Sequence, residues 1–479
     1  MQDDLFANYD AQDYYCELFG ATDKEAEHTR LIRRRLSRMK LSTLKKRARA
    51  TDTELFNMGI TFTVYSDREA IDRVLPFDVI PRVISNREWQ KIEAGCRQRV
   101  QVLNLFIHDI YHEQRILRDG IVPRELVLGN SNYREPMRGF DPPGGTYVHI
   151  CGVDLVRDGQ GNFQVLEDNA RTPSGVSYVV ENRHLMLRLF PDLTDRVRIL
   201  PVSDYGVRLR KALSEVAPAT TGEPHIALLT PGIYNSAYFE HVFLAREMGA
   251  ALVEGRDLFV ENDRLYMKTT SGPERIDVLY RRIDDDFLDP EAFNPDSVLG
   301  VPGLMRAYLA GGVTLANAVG TGVADDKAIY AYMPAITRYY LDEEPILANV
   351  PTNICREPDA LAYTLDHLDE LVVKPVGESG GYGVVVGPRA SKAELEELRA
   401  SLKANPERFI SQPLIQLSVC PTVFDRGVEA RHVDLRPYIV TGRDSWVLPG
   451  GLTRVALRKG SFVVNSSQGG GTKDTWVLG

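Results

Sequence analysis

LVVKPVGESGGYGV, residues 371–384, reads as a strand carrying Lys374, a glycine-rich loop and a second strand. A Walker-type phosphate loop needs GxxxxGK[ST] running straight into a helix, whose first N–H groups cradle the anion. Here Gly377, Gly380, Gly381 and Gly383 lead instead into Val384, Val385 and Val386, a β-branched run that favours strand. The loop therefore joins two strands and would lie over phosphates as a lid, with glycine permitting positive φ and close backbone approach. Lys374 sits at the end of the incoming strand, placed to meet an α- or β-phosphate as a point charge. Protein kinases also combine a glycine lid with a lysine, but the HRD and DFG segments they need are absent. Taken alone, the stretch is equally a glycine-rich hairpin tip beside a solvated lysine.

A second stretch, CGVDLVRDGQGNFQVLEDN at 151–169, reads as a β-hairpin turning at DGQGN, 158–162. Residues two apart in a strand share a face, so Glu167 and Asn169 point one way and Asp168 the other. Folding back at the turn brings Asp154 level with Glu167. Two carboxylates and an amide oxygen then converge, a donor set suited to Mg²⁺, which takes a few protein oxygens and keeps its other positions for water and phosphate. The apolar flanks VHICGVDLV and FQVLEDNA imply a largely buried sheet, where unpaired carboxylates would be costly.

These residues resemble the ATP-grasp ligases, specifically the circularly permuted type 2 branch related to glutathionylspermidine synthase. An ordinary chain of that group places the metal ligands last; here the metal hairpin comes first. The rest follows in the usual order: ADDKAIYAYMPAITRYYL with Lys327, VVKPVGESGGYG with Lys374, and the hinge-like FISQPLIQLS with Gln412 and Leu414. After these come HVDLRPYIV with Arg436, LPGGLTRVAL with Arg454 and the terminal NSSQGGGTKDTWVL. The resemblance runs from about residue 55 to the end. Many hinges of the group carry glutamate where this chain has Gln412 followed by Pro413.

The resemblance implies a Mg-ATP-dependent ligase joining a carboxylate to an amine through an acyl phosphate. ATP and Mg²⁺ are the implied cofactors, with small-molecule or peptide acids and amines as substrates. It assigns Asp154, Glu167 and Asn169 to the metal. Lys327, Lys374, Gly377, Ser379, Gly380, Gly381, Gln412 and Leu414 fall to the nucleotide. Arg436, Arg454 and Arg282 are the implied catalytic cations, and Arg171, Ser174 and Gly175 would hold substrate. For each arginine an ordinary ion pair is the alternative. Two other function classes stay open: a phosphotransferase on the same fold, and a nucleotide- or partner-binding protein without catalysis.

The fold class expected is a multidomain α+β and α/β protein, a permuted ATP-grasp core with a Rossmann-like βαβ domain and a helical N-terminal region. Residues 1–140 read as mostly helical, with a long amphipathic helix through REWQKIEAGCRQRVQVLNLFIHDIYHEQRIL. Residues 141–190 hold the metal hairpin, and 200–320 the βαβ unit built on HIALLT, YFEHVFLAREMG, AALVEG and RIDVLYRRI. Residues 321–479 hold the nucleotide-binding part. No GxGxxG follows the first strand of the βαβ unit, so a dinucleotide is not indicated. The terminal SSQGGGTKDTW is open between a flexible end and a source of N–H groups for an anion.

Asp23 to Ala50 holds 11 Lys or Arg against 3 acidic residues, a local +8 in a chain of net −9, so the remainder carries −17. That balance argues against a nucleic-acid-binding protein. The segment reads as two short amphipathic helices with Thr22 and Glu25 as a capping box, their basic faces either solvated or docking an acidic partner or nucleic acid. No stretch reaches transmembrane length, and the acidic start MQDDLFANYDAQDYY is unlike a signal peptide, so a cytoplasmic enzyme without membrane contact is expected. Cys16, Cys96, Cys151, Cys355 and Cys420 lack CxxC spacing, which suits a reducing cytosol and no structural zinc. Cys151 reads as a buried, inert thiol.

Overall fold

A computed structural model of the chain describes residues 4–21, 24–65, 70–195, 197–219, 222–377, 383–461, 464 and 469–479. The basic segment forms two helices, α1 (Arg30–Leu36) and α2 (Leu41–Asn57), which bury Ile32, Leu36, Leu44 and Leu55 against the body. The first begins well beyond the expected cap at Thr22, which lies outside the described residues. Part of the basic stripe holds these helices down: Arg47 pairs with Asp192 at 2.8 Å and Arg35 donates to the Leu193 carbonyl at 2.9 Å.

The largely helical 1–140 region is interrupted by β1 (Phe77–Ile84), every residue of which is buried. Pro81 inside it speaks against a strand, yet β1 lies at a sheet edge and pairs parallel to residues 471–477. A register shift between Lys473 and Thr475 absorbs the proline where no ladder N–H is available. The long helix follows as α3 (Asn86–Tyr111), started by a reciprocal capping box between Ser85 and Glu88. Trp89, Ile92, Cys96, Val100, Leu103 and Ile107 fall on its buried face at helical spacing.

The expected hairpin is β2 (Ile150–Arg157) and β3 (Phe163–Asn169), and α4 (Val176–Leu189) comes after it. Next is a parallel unit: β4 (Ile226–Leu229), α5 (Tyr238–Met248), β5 (Ala251–Val253), β6 (Val278–Arg281) and β7 (Thr314–Ala316). Its order is β7-β6-β4-β5 with all pairs parallel, as alternating strands and helices require. The sequence pattern marks the first three strands; β7 is an addition.

α6 (Lys327–Leu341) leads to β8 (Ala348–Asn349) and then to a small antiparallel sheet. Its strands are β9 (Asn353–Ile354), β10 (Leu371–Pro375), β11 (Val385–Val386) and, after α7 (Lys392–Ala404), β12 (Phe409–Pro413), in the order β9-β12-β10-β11. This layer has its own core of Cys355, Leu368, Val373, Leu398 and Leu402. The glycine loop thus joins two antiparallel strands, β10 and β11, as expected, although residues 378–382, including Ser379, Gly380 and Gly381, lie outside the described residues.

The chain ends with β13 (Gly427–Arg436), β14 (Tyr438–Thr441), β15 (Leu452–Val455) and β16 (Gly471–Val477). They complete a large sheet ordered β8-β3-β2-β13-β15-β16-β1, with β14 also pairing β2. β16 is wholly buried, so residues 471–477 are a structural strand rather than a flexible end. The β2–β3 hairpin therefore shares one sheet with strands almost 300 residues downstream. Among the described residues no helix is long and apolar enough to cross a membrane.

Candidate active site

The β2–β3 ladder sets Asp154 directly opposite Glu167 and Gly152 opposite Asn169, with a register shift immediately after Asp154. The turn is closed by Asp158, whose carboxylate accepts the N–H groups of Gln160 and Asn162 at 2.9 and 2.8 Å. Glu167 and Asn169 share the face that carries Asp154, and the Asn169 amide lies 3.4 Å from an Asp154 oxygen. Asp168 points the other way, where Arg99 of α3 grips it with two hydrogen bonds, that from Nη2 at 2.7 Å. Alternation along one strand thus separates a structural carboxylate from a functional candidate.

Two downstream arginines converge on Asp154. Arg436, at the end of β13, binds both of its oxygens, one at 2.8 Å, and Arg454 of β15 donates to it at 2.6 Å while also gripping Asp434. Asp154 is fully buried. Burial alone would raise its proton affinity; the Arg436 and Arg454 charges outweigh that and hold the carboxyl well below the usual range. Glu167 shifts the opposite way. Burial and the facing Asp154 charge raise its proton affinity, and Lys327, 3.6 Å from its Oε2, only partly offsets them.

α6 begins at Lys327, and Asp326 caps it by accepting the Ala328 and Ile329 N–H groups at 2.8 and 3.3 Å. The Lys327 N–H donates to the Val376 carbonyl at 3.3 Å, which ties this helix start to the entry of the glycine loop. Lys374 lies within electrostatic reach of Glu167 and Lys327, and its ammonium donates to the Gln412 amide oxygen at 2.6 Å. Burial, with Lys327 adding to it, lowers the Lys374 pKa to about 8. Gln412, buried on β12 and anchored to Thr352 at 2.9 Å, therefore positions the lysine; Leu414 follows, half-buried, beyond the strand end.

One cavity of about 350 Å³ gathers Glu167, Asn169, Lys327, Gly377, Arg436 and Arg454. Arg171, Ser174 and Gly175 line it as well. Arg171 faces Asp284 at 3.4 Å and Asp325 at 3.7 Å. Gly175, at φ +111°, caps α4 where any Cβ would meet the Tyr438 hydroxyl at 2.6 Å, so only glycine fits. Arg282 faces a neighbouring cavity instead and is committed to structure: it donates to the Pro173 carbonyl and the Ser174 hydroxyl, both at 2.7 Å, and to buried Glu240 at 3.1 Å. The ion pair raised as the alternative for Arg282 is thus the contact it makes.

Three further groups carry no clear sequence signal. Glu240 reaches from α5 to accept the Gly175 and Ser177 N–H groups at 2.7 and 3.1 Å, satisfying donors at the start of α4. Asn317 binds the backbone of His149, Ile150 and Ala170, each at 2.7 Å, and so locks the parallel unit onto β2. Asp325 lies in the cavity wall with its pKa pushed up to about 7, chiefly by burial. The ADDK run at 324–327 marked its neighbour Lys327 but not this residue.

The donor set fits a hard divalent cation. Asp154 and Glu167 face each other within hydrogen-bond reach, two carboxyl groups whose repulsion Arg436 and Arg454 offset at Asp154 and Lys327 offsets in part at Glu167, and which a bound cation would offset further. Cys151, fully buried, has its thiol pushed well up by burial and takes no part in this site.

Residues 81–456 match the family described as circularly permuted ATP-grasp type 2. An uncharacterized protein of Synechocystis sp. is 52% identical over 98% of this chain and 98% of its own. A Frankia casuarinae protein, provisionally named glutamate–cysteine ligase 2-2, is 43% identical over 97% of this chain but 53% of its own length. The structure of a glutathione synthetase-like effector from Globodera pallida shares the fold, with a TM-score of 0.59 and 12% identity over 92% of this chain and 98% of that one. The chain belongs to the circularly permuted ATP-grasp type 2 family.

Proposed function

We propose that this protein is an ATP-dependent ligase that joins a small-molecule or peptide carboxylate to an amine through an acyl phosphate. One observation carries the proposal: Glu167, which faces buried Asp154 across the ladder, lines one cavity together with Arg171, Lys327, Arg436, Arg454 and the entry of a glycine loop. Such a site concentrates positive charge where a triphosphate would lie. The provisional name of the Frankia relative, an amide-forming ligase, points the same way.

Asp154, Glu167 and Asn169 would hold Mg²⁺, which when bound neutralises phosphate charge and polarises the transferring group. Lys327 and Lys374 bind phosphate oxygens, with Gly377 and the following loop covering them. Arg436 and Arg454 face the charge that develops as a substrate carboxylate oxygen attacks the γ-phosphorus and ADP departs. Arg171, with the Ser174–Gly175 turn at the start of α4, orients that carboxylate. The amine nitrogen then attacks the acyl carbon, inorganic phosphate leaves, and the nitrogen gives up a proton. Asp325, with its pKa near 7, is the group in the cavity wall matched to accept it.

The test is ATP turnover against a panel of acids and amines, with mass spectrometry of the products. One ADP and one phosphate released per amide formed supports the proposal. A stable phosphorylated acid, formed without consumption of amine, would establish a phosphotransferase instead.

A further inference from the structure

Away from the cavity, His108 and His112 stand one helical turn apart at the C-terminal end of α3, and Asp141 approaches them from the loop that leads to β2. One Asp141 oxygen lies 3.3 Å from His108 Nε2 and 3.4 Å from His112 Nε2. The three donor atoms all fall within 4.8 Å of one another. A tetrahedral site with nitrogen and oxygen ligands at about 2.0–2.1 Å sets neighbouring ligand atoms about 3.3–3.4 Å apart, the spacing of Asp141 from each histidine here.

The second ring nitrogen supports the same assignment. His112 Nδ1 lies 2.9 Å from the His108 carbonyl, one of the last-turn acceptors that the helix leaves open. Donation there fixes the tautomer and leaves Nε2 as the lone-pair nitrogen, the backbone support commonly given to metal-bound histidine. That Nε2 is buried and has no hydrogen-bond partner. The two rings lie nearly parallel with centroids 4.2 Å apart, so binding one ion requires the exposed His108 ring to turn about its soft χ2 torsion while His112 keeps its carbonyl contact. His108 and Asp141 remain 51% and 66% exposed, so an ion can enter from solvent.

We propose that His108, His112 and Asp141 bind a divalent first-row transition metal, Zn²⁺ being the commonest for this donor set. The ion would clamp the end of α3 to the loop that leads into β2, leaving its fourth position to water. None of the three residues lines the Glu167 cavity, so this site is separate from the proposed Mg²⁺ ligands. Cysteine spacing carries no trace of it, because its donors are imidazole and carboxylate.

Equilibrium dialysis of the full-length, chelator-treated protein against Zn²⁺, with excess Mg²⁺ present to occupy oxygen-donor sites, tests the proposal. One zinc ion per chain at micromolar or tighter affinity is expected, and bound Co²⁺ should show the visible absorption of a tetrahedral site. His108→Ala, His112→Ala and Asp141→Asn should each weaken zinc binding by about tenfold or more. His225→Ala, an exposed histidine paired with Glu274, should leave it unchanged. Asp141→Asn is decisive if His112→Ala compromises the helix end, since the Asp141 side chain is mostly in solvent. Zinc binding weaker than micromolar, or equal binding by Asp141→Asn and the parent, overturns the proposal.

Discussion

Asp154 and Glu167 face each other across one rung of the β2–β3 ladder, yet their proton affinities are driven apart. Two guanidinium groups hold Asp154 ionised, whereas Glu167 feels burial and the Asp154 charge with weaker compensation. A divalent cation should displace any proton from Glu167, so Mg²⁺ binding is expected to strengthen as pH rises from the acidic side. Glu167→Gln removes one anionic ligand and should lower turnover by about two orders of magnitude or more, a metal's charge being worth several kcal/mol in the transition state. Parent-like turnover in Glu167→Gln would move the metal site elsewhere.

Lys374 supplies a second pH dependence. Its pKa is depressed to about 8, so the free protein loses this positive charge as pH rises above that value. ATP binding favours the protonated form; affinity should therefore be flat below about pH 8 and fall above it. Lys374→Arg, which stays charged, should flatten the profile, and Lys374→Ala should weaken ATP binding by about tenfold or more, as loss of a charged hydrogen bond implies. Calorimetric titration between neutral and alkaline pH reads both effects.

Asp325 links the site to stability. Its folded pKa is raised from 3.8 to about 7, so the stability tied to its protonated form is present below about pH 4 and is lost as pH rises through 7. Asp325→Asn cannot ionise and escapes that loss. The melting temperature of Asp325→Asn relative to the parent should rise between pH 4 and pH 7.5, while its amide synthesis falls. A constant difference across that range would show that Asp325 titrates normally.

Arg282 and Glu240 form a buried ion pair that braces the Pro173–Ser174 turn from behind. Glu240→Gln should destabilise the fold by about 3–5 kcal/mol, because it leaves a buried guanidinium without its counter-charge. Arg282→Lys should also lose the fork that spans Pro173 and Ser174. Denaturant unfolding measures both, and an unchanged midpoint for Glu240→Gln would contradict the structural role of the pair.

The local chemistry of the site was legible where short-range rules apply. Strand alternation and the DGQGN turn were enough to set Asp154 against Glu167 and to turn Asp168 away, since side-chain period and turn closure are properties of neighbouring residues. The valines after Gly383 likewise marked a strand–loop–strand unit. The order of the motifs along the chain pointed to the family later matched over residues 81–456. β1 was hidden because its partner, β16, lies almost 400 residues away and Pro81 obscures its pattern.

The sequence by itself thus determined the facing of Asp154 and Glu167, the hairpin face that Glu167 shares with Asn169 and the strand-to-strand character of the glycine loop. Only the tertiary structure decided which charge meets which. Arg436 and Arg454 reach Asp154 across about 280–300 residues, Gln412 rather than solvent holds Lys374, and Arg282 is spent on Glu240. Pairings of this kind arise when distant strands enter one buried sheet, where low polarity makes each unpaired charge costly and every arginine must find a partner. No local pattern records which partner that will be.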